Sequence, residues 1–102
     1  MATQTNSSML GMNIAKDQIE CVLYHGGHFK STTVDNSARG FSDLVDWLNK
    51  HDVHRVHAFC DEAAQSWQEA AHFLSHVGHR VSVLNEAQIR ACAAALARSR
   101  AC

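Results

Sequence analysis

The chain has no proline in any of its 102 residues, so nothing of the proline-marked kind divides it into segments. At this length one domain with a modest core is expected. It has no run near the roughly 18 apolar residues that span a bilayer. Its first residues, MATQTNSS, have neither the basic region nor the apolar core of a secretory leader. A frayed tail over residues 1–7, a folded domain over 8–102 and a cytoplasmic location are therefore expected. The four cysteines, Cys21, Cys60, Cys92 and Cys102, include no CxxC pair, so reduced, mostly buried thiols are expected rather than a disulfide framework. There is no phosphate-cradling glycine loop. Ser66 and Cys60 stand in no nucleophile–base pattern. The stretch HFLSHVGH, with His72, His76 and His79, lacks the glutamate of an HExxH zinc motif, so solvated histidines are expected there and at His54 and His57.

Charge of one sign is also missing. The formal net charge is −1, which excludes a strongly basic nucleic-acid binder. The charge is nevertheless uneven. Nine of the ten acids fall between Asp17 and Glu69, whereas residues 80–102 hold Arg80, Arg90, Arg98 and Arg100 against Glu86 alone. A polyanion would find its footing at that C-terminal end.

What is present is a globular composition, 46% hydrophobic, with clear periodicity. Residues 8–15 suit a short buried strand. Residues 18–24 alternate, with Ile19, Cys21 and Leu23 on one face. Gly26-Gly27 then signals a hairpin, because both glycines accept positive φ, and residues 28–34 return as a strand. Phe41, Leu44, Val45 and Leu48 fall at i, i+3, i+4, i+7 within a helix over 38–51. Residues 54–60 form a strand ended by Asp61-Glu62, residues 63–77 a second helix with Gly78 at its C-cap, and residues 80–84 a strand. Asn85 caps a third helix over 86–99. The order β-β-β-α-β-α-β-α implies an α/β fold: an antiparallel meander extended by parallel strands into a mixed sheet, with helices packed on it.

Two places can carry chemistry. Asn13, in GMNIAK, is a polar residue inside an apolar strand. Asp61 and Glu62 end the fourth strand. If the first and fourth strands are the middle of the sheet, Asn13 and Asp61 approach one another. Two carboxylates so placed would suit Mg²⁺, which takes oxygen ligands and keeps several waters, and a pair of such ions activates water and stabilises a leaving oxygen on phosphate. The plainer readings are a locally hydrogen-bonded asparagine and an acid that caps the second helix. The alanine-rich stretch ACAAALA (91–97) is either a close-packing face or a partner-binding one.

As a set, these segments resemble the N-terminal domain of the insertion-sequence one-ten transposases, the DEDD family. GMNIAKDQIECVL is similar to the family's opening G-I-D-[VI]-[SA]-K strand. DNSARGFSDLVDWL is similar to its N-x-x-x-G-F-x-x-L-x-x-W-L helix, CDEAAQSWQEAAHFLSHVGHRV to its E-[AP]-T-G segment, and SVLNEAQIRACAAAL to its S-V-V-N-P-A-Q-I-R-A segment. Together they cover about residues 10–98. The resemblance implies an RNase H-like (RuvC-like) fold, Mg²⁺-dependent DNA phosphodiester chemistry during transposition, and a structured guide RNA as a second nucleic-acid partner. It also implies a C-terminal domain bearing a serine nucleophile.

Carried over residue by residue, the resemblance puts Asn13 at the first acidic position and Asp61, for a glutamate, at the second, with Glu62 adjacent. Asn13 and Asp61 are thus the degenerate catalytic positions and the implied metal ligands, with Glu62 beside them as a further candidate ligand. The sequence stops at ARSRAC, before the family's K-T-D-x-x-D-A segment with its third and fourth acids. A truncated fragment that binds no metal productively and cleaves nothing is therefore expected, with residual nucleic-acid contacts at Lys16, Arg90, Arg98 and Arg100. The alternative is a non-catalytic interaction or self-association module that uses the alanine-rich helix.

Overall fold

The structure, a computed structural model, describes residues 8–64, 66–88 and 90–91. The expected tail, Arg98, Arg100 and most of the alanine-rich stretch lie outside the described residues. Among the described residues, five strands and two helices run in the order β1 (Met9–Ile14), β2 (Gln18–His25), β3 (His28–Asp35), α1 (Ala38–Lys50), β4 (His57–Asp61), α2 (Trp67–His76) and β5 (Arg80–Leu84). Residues 86–88 are helical, as are 90 and 91, which places the start of the expected third helix.

The strands form one sheet in the order β3-β2-β1-β4-β5. The first three are antiparallel neighbours, while β4 pairs parallel with β1 and β5 parallel with β4. This is the RNase H-like mixed sheet that the resemblance implies, with β1 at its centre. Alternation along β1 decides what faces what. Leu10, Met12 and Ile14 are buried, whereas Gly11 and Asn13 are exposed on the opposite side. Strand β2 repeats the rule with Ile19, Cys21 and Leu23 in the core, and β4 adds Ala58 and Cys60. Helices α1 and α2 cover this face through Phe41, Leu44 and Leu48 and through Ala70 and Leu74. The Phe41 and Phe73 rings meet at 5.5 Å between the two helices.

Local chemistry sets the joints. The Gly26-Gly27 hairpin has φ of 61° and 80°, the positive values that two glycines supply without strain. Ser37 caps α1, its Oγ accepting from the Gly40 N–H at 3.2 Å. Helix α2 ends in a Schellman pair, with His79 N–H donating to Leu74 O at 2.9 Å and Gly78 N–H to Ser75 O at 3.1 Å. Asn85 and Gln88 form a reciprocal capping box: each side-chain oxygen accepts from the other's backbone N–H at 2.9 Å. Gly40 is buried where α1 leaves β3, and a Cβ there would fall inside the backbone of Asp35.

Two element boundaries differ from the sequence expectation by more than one residue. Strand β4 begins at His57, not at residue 54, because residues 51–56 are taken up by the return from α1: His51 and Asp52 N–H bond back to that helix's last turn. Helix α2 begins at Trp67, not at 63. The carboxylate and carbonyl of Asp61 hold residues 61–64 in a tight turn, and Ser66 follows in the left-handed region with φ of 63°. Val77, the last residue of the expected helix, is exposed at its C-cap.

His79 is buried, and its Nδ1 accepts from the Val56 N–H at 3.1 Å. It thus ties the approach to β4 to the approach to β5 as a neutral ring. Burial, and then the Arg55 guanidinium, hold its pKa below the ordinary histidine value.

Gly40→Ala is expected to cost at least about 1 kcal/mol through overpacking, lowering Tm by several degrees. Asp43→Ala, on the exposed side of the same helix, is expected to change little. Thermal unfolding of both variants checks this. The His79 shift has a definite sign. The unfolded ring takes up a proton near pH 6.5 more readily than the folded one, so its contribution is full above that value and declines as pH falls below it. Tm measured from pH 7.5 to 5 is expected to fall. His79→Asn, which offers Val56 a non-titrating acceptor, is expected to flatten that fall.

Candidate functional site

The three parallel strands β1, β4 and β5 end on the same edge of the sheet, and parallel α/β sheets present their functional groups at such ends. The β1–β4 ladder pairs Met9 with His57, Leu10 with Ala58 and Gly11 with Phe59. Two residues further along each strand stand Asn13 and Asp61, on the sheet face opposite α1 and α2. Asn13 and Asp61 thus stand at neighbouring strand ends.

Asn13 is exposed rather than buried, contrary to the first reading of GMNIAK as a polar residue within a buried strand. The reason is the two-residue alternation: its neighbours Met12 and Ile14 take the core, and Asn13 faces away. Its direct cross-strand partner on β2 is Glu20, and the Asn13 Nδ2 donates to Glu20 Oε1 at 3.3 Å. Glu20 was not among the residues singled out from the sequence. Its signal was there, since an acid in QIECVLY sits on the exposed phase of an alternating strand. Only the register shows that it lies opposite Asn13.

Asp61 closes β4, and its Oδ1 accepts from the Ala63 N–H at 2.9 Å. This corrects the expectation that Asp61 or Glu62 caps the second helix. The carboxylate holds the turn before that helix, whose own N-cap, Ser66, makes no side-chain cap bond. Glu62 is exposed, and its N–H donates to Leu84 O at 2.9 Å, which locks it to the end of β5. As the next residue in the chain, it does not share the direction of Asp61.

The fit to Mg²⁺ is poor. Asn13 brings an amide in place of a carboxylate, turned to hydrogen-bond Glu20. Asp61 already spends one oxygen on a backbone N–H. Among the described residues no group of three His, Cys, Asp or Glu side chains is placed to hold a metal ion. Hard divalent cations are held through carboxylate charge, so these residues do not fit a two-metal centre.

The remaining candidates separate. Lys16 is exposed in the turn between β1 and β2, beside the end of β1. Arg90 is exposed and pairs with Glu86 at 2.7 Å, one helical turn back. His72 and His76 are exposed on α2, and His79 is turned inward, so the three do not converge. His57 stacks on Phe59 at 4.2 Å, and its Nε2 lies 2.7 Å from Ser82 Oγ. Burial, and then Arg80, lower its pKa. Neither described cysteine is an activated nucleophile. Burial pushes the Cys21 thiol up to about 12, and burial together with the charge of Asp61 raises that of Cys60. Both are free thiols, as expected. No helix among the described residues is long and apolar enough to cross a membrane.

Comparison with known proteins agrees with the motifs. The pilin gene-inverting proteins of Moraxella bovis and Moraxella lacunata are each 25% identical to the chain over 93 residues, which is 89% of this chain and 29% of theirs. The chain therefore spans under a third of the length of these curated relatives. Among solved structures, the Pelota protein of Thermoplasma acidophilum is similar over 78% of this chain and 27% of its own, at 17% identity and a TM-score of 0.47. A Ppx/GppA family member from Aquifex aeolicus is similar over 80% and 36%, at 14% identity and a TM-score of 0.43. The fold assignment rests on strand order and direction rather than on these two. The model of the DEDD family of insertion-sequence one-ten type, described as a transposase, matches residues 10–101, and the chain belongs to that transposase family.

Proposed function

We propose that this chain is a transposase-family domain that has lost metal-dependent phosphodiester chemistry at the ends of β1 and β4, and that its remaining activity is weak, electrostatic contact with DNA or a guide RNA. One observation carries the first half. At the first acidic position of the family motif stands Asn13, whose amide is hydrogen-bonded across the strands to Glu20. An amide oxygen can ligate, but it brings no charge, and a charge-poor site binds Mg²⁺ weakly. Positioning an attacking water and stabilising a leaving oxygen is the work of two clamped ions, and an uncharged amide at the first position weakens the hold on them.

The contact surface proposed is Lys16 with the C-terminal arginines Arg90, Arg98 and Arg100. Lys16 stands beside the candidate site, so a backbone phosphate reaching the strand ends would meet it. The Glu86 pair does not remove Arg90 from this role, because exposed ion pairs are worth little and exchange readily for phosphate. Binding of this kind is sequence-tolerant and falls steeply with salt.

The purified chain is expected to cleave neither single- nor double-stranded DNA with Mg²⁺ or Mn²⁺, while retarding either nucleic acid at low salt and losing that binding by roughly 200 mM salt. Cleavage abolished by Asp61→Ala would overturn the proposal, and salt-insensitive self-association without nucleic-acid binding would favour an interaction module instead. A second prediction concerns Asn13→Asp. It sets a carboxylate directly opposite Glu20, and like charges at such a pair repel. Without metal the variant is expected to melt below the parent chain. With millimolar Mn²⁺ it is expected to recover, because a ligand that binds only the folded state stabilises it. Calorimetric melting of parent and variant with and without Mn²⁺ reads both effects.

A further inference from the structure

Asn36 lies between β3 and α1, in DNSARGF, and its side chain reaches away from both. Its Nδ2 donates to the carbonyl of Ala15 at 2.9 Å and lies 3.4 Å from the carbonyls of Lys16 and of Ser66. Its backbone N–H donates to Asp17 O at 2.9 Å. One residue thus holds two segments distant in sequence: the turn that ends β1, two residues after Asn13, and the entry to α2, five residues after Asp61. The orientation of the amide is determined. Turned over, it would set its oxygen against three carbonyl oxygens. As placed, Oδ1 is buried with no donor among the described residues. An unpaired buried acceptor is costly, and it is kept because the two N–H donors of the same group are engaged.

We infer that Asn36 is a positioning residue: it clamps the end of β1 to the entry of α2 and so fixes the spacing between Asn13 and Asp61. The pairing of β1 with β4 stops at Gly11 and Phe59, so beyond that point the ladder does not set the separation of the two strand ends. The amide of Asn36 spans the gap that the ladder leaves. On the β4 side the hold is relayed by the turn in which Asp61 Oδ1 accepts from Ala63 N–H. Ser66, in the left-handed region, presents its carbonyl toward Asn36 rather than into a regular helix start. The inference rests on the reading of Asn13 and Asp61 as the site, although the clamp itself does not.

The test uses Asn36→Ala, which removes the group, and Asn36→Asp, which keeps its shape and replaces both donors by an acceptor. Hydrogen exchange on the full chain is the first readout. In both variants the Ala15 and Ala63 amides are expected to exchange at least about tenfold faster, together, while the Leu10 and Cys21 amides in the centre of the sheet keep their protection. Unchanged exchange at either segment, or a uniform acceleration throughout, overturns the clamp. The second readout is Mn²⁺ affinity in the Asn13→Asp background. Adding Asn36→Ala is expected to weaken it roughly tenfold, the scale of lost outer-shell support. Adding Val53→Ala, a core truncation outside both segments, lowers Tm without that loss. Equal loss with Val53→Ala overturns the positioning role. If Asn13→Asp binds no Mn²⁺ at all, the reading of the site fails, and the exchange data still decide the clamp.

Discussion

The register of β1 is the constraint on which the rest of the molecule depends. Among the described residues it is the one strand bonded antiparallel on one side and parallel on the other. A slip of one residue would exchange Leu10, Met12 and Ile14 for Gly11 and Asn13 in the core. That would remove the apolar surface against which both helices pack, and it would bury the polar group whose position defines the candidate site. Core and site are therefore two faces of one alternation. The buried phase makes the register expensive to change, and the exposed phase inherits its precision, so that Asn13 is set opposite Glu20.

The electrostatics of that exposed phase are what the proposed loss of phosphodiester chemistry rests on. A phosphodiester-cleaving centre gathers carboxylates until a divalent ion is worth more than their mutual repulsion. At the ends of β1 and β4 one of the two positions carries an amide instead of a carboxylate. Asn13 is neutral and forms a cross-strand hydrogen bond. Glu20 is occupied by that bond, and Asp61 stabilises a backbone turn. Each polar group has found a partner within the protein, so repulsion that a metal would relieve does not build up. On the proposed reading, the strands and the Asn36 amide hold the geometry of the site, and the carboxylate charge is missing at its first position.

Much of this was legible in the sequence, for physical reasons that also explain the rest. The two-residue alternation of QIECVL and the i, i+3, i+4, i+7 pattern of Phe41, Leu44, Val45 and Leu48 are long enough to fix element type, and the Gly-Gly turn fixes a hairpin. Strand direction followed from connection lengths: short turns make antiparallel neighbours, and helical crossovers make parallel ones. That β1 lies beside β4 was a condition of the site reading, which the register supplies. Boundaries were less legible. The stretch HRV reads as strand by alternation, but the return from α1 takes it, and Asp61 halts the helix after it by holding a turn that periodicity does not register. Of the site, Asn13 and Asp61 were accessible through motif and topology. Glu20 was not, because only the register reveals what stands across from Asn13. Asn36 was visible as a motif letter, but its reach to Ala15 and Ser66 is a tertiary fact with no local signal.

The central claim is that replacing an acid by Asn13 leaves the strand ends unable to hold a divalent cation. Paramagnetic broadening of backbone amides on titration with Mn²⁺ tests it most directly, since it reads where the ion sits without requiring turnover. The account predicts that the unmodified chain shows only weak, non-saturating broadening near exposed acids, and that Asn13→Asp shows selective, saturable broadening centred on residues 13, 20 and 61. Saturable broadening at those three positions in the unmodified chain would contradict it.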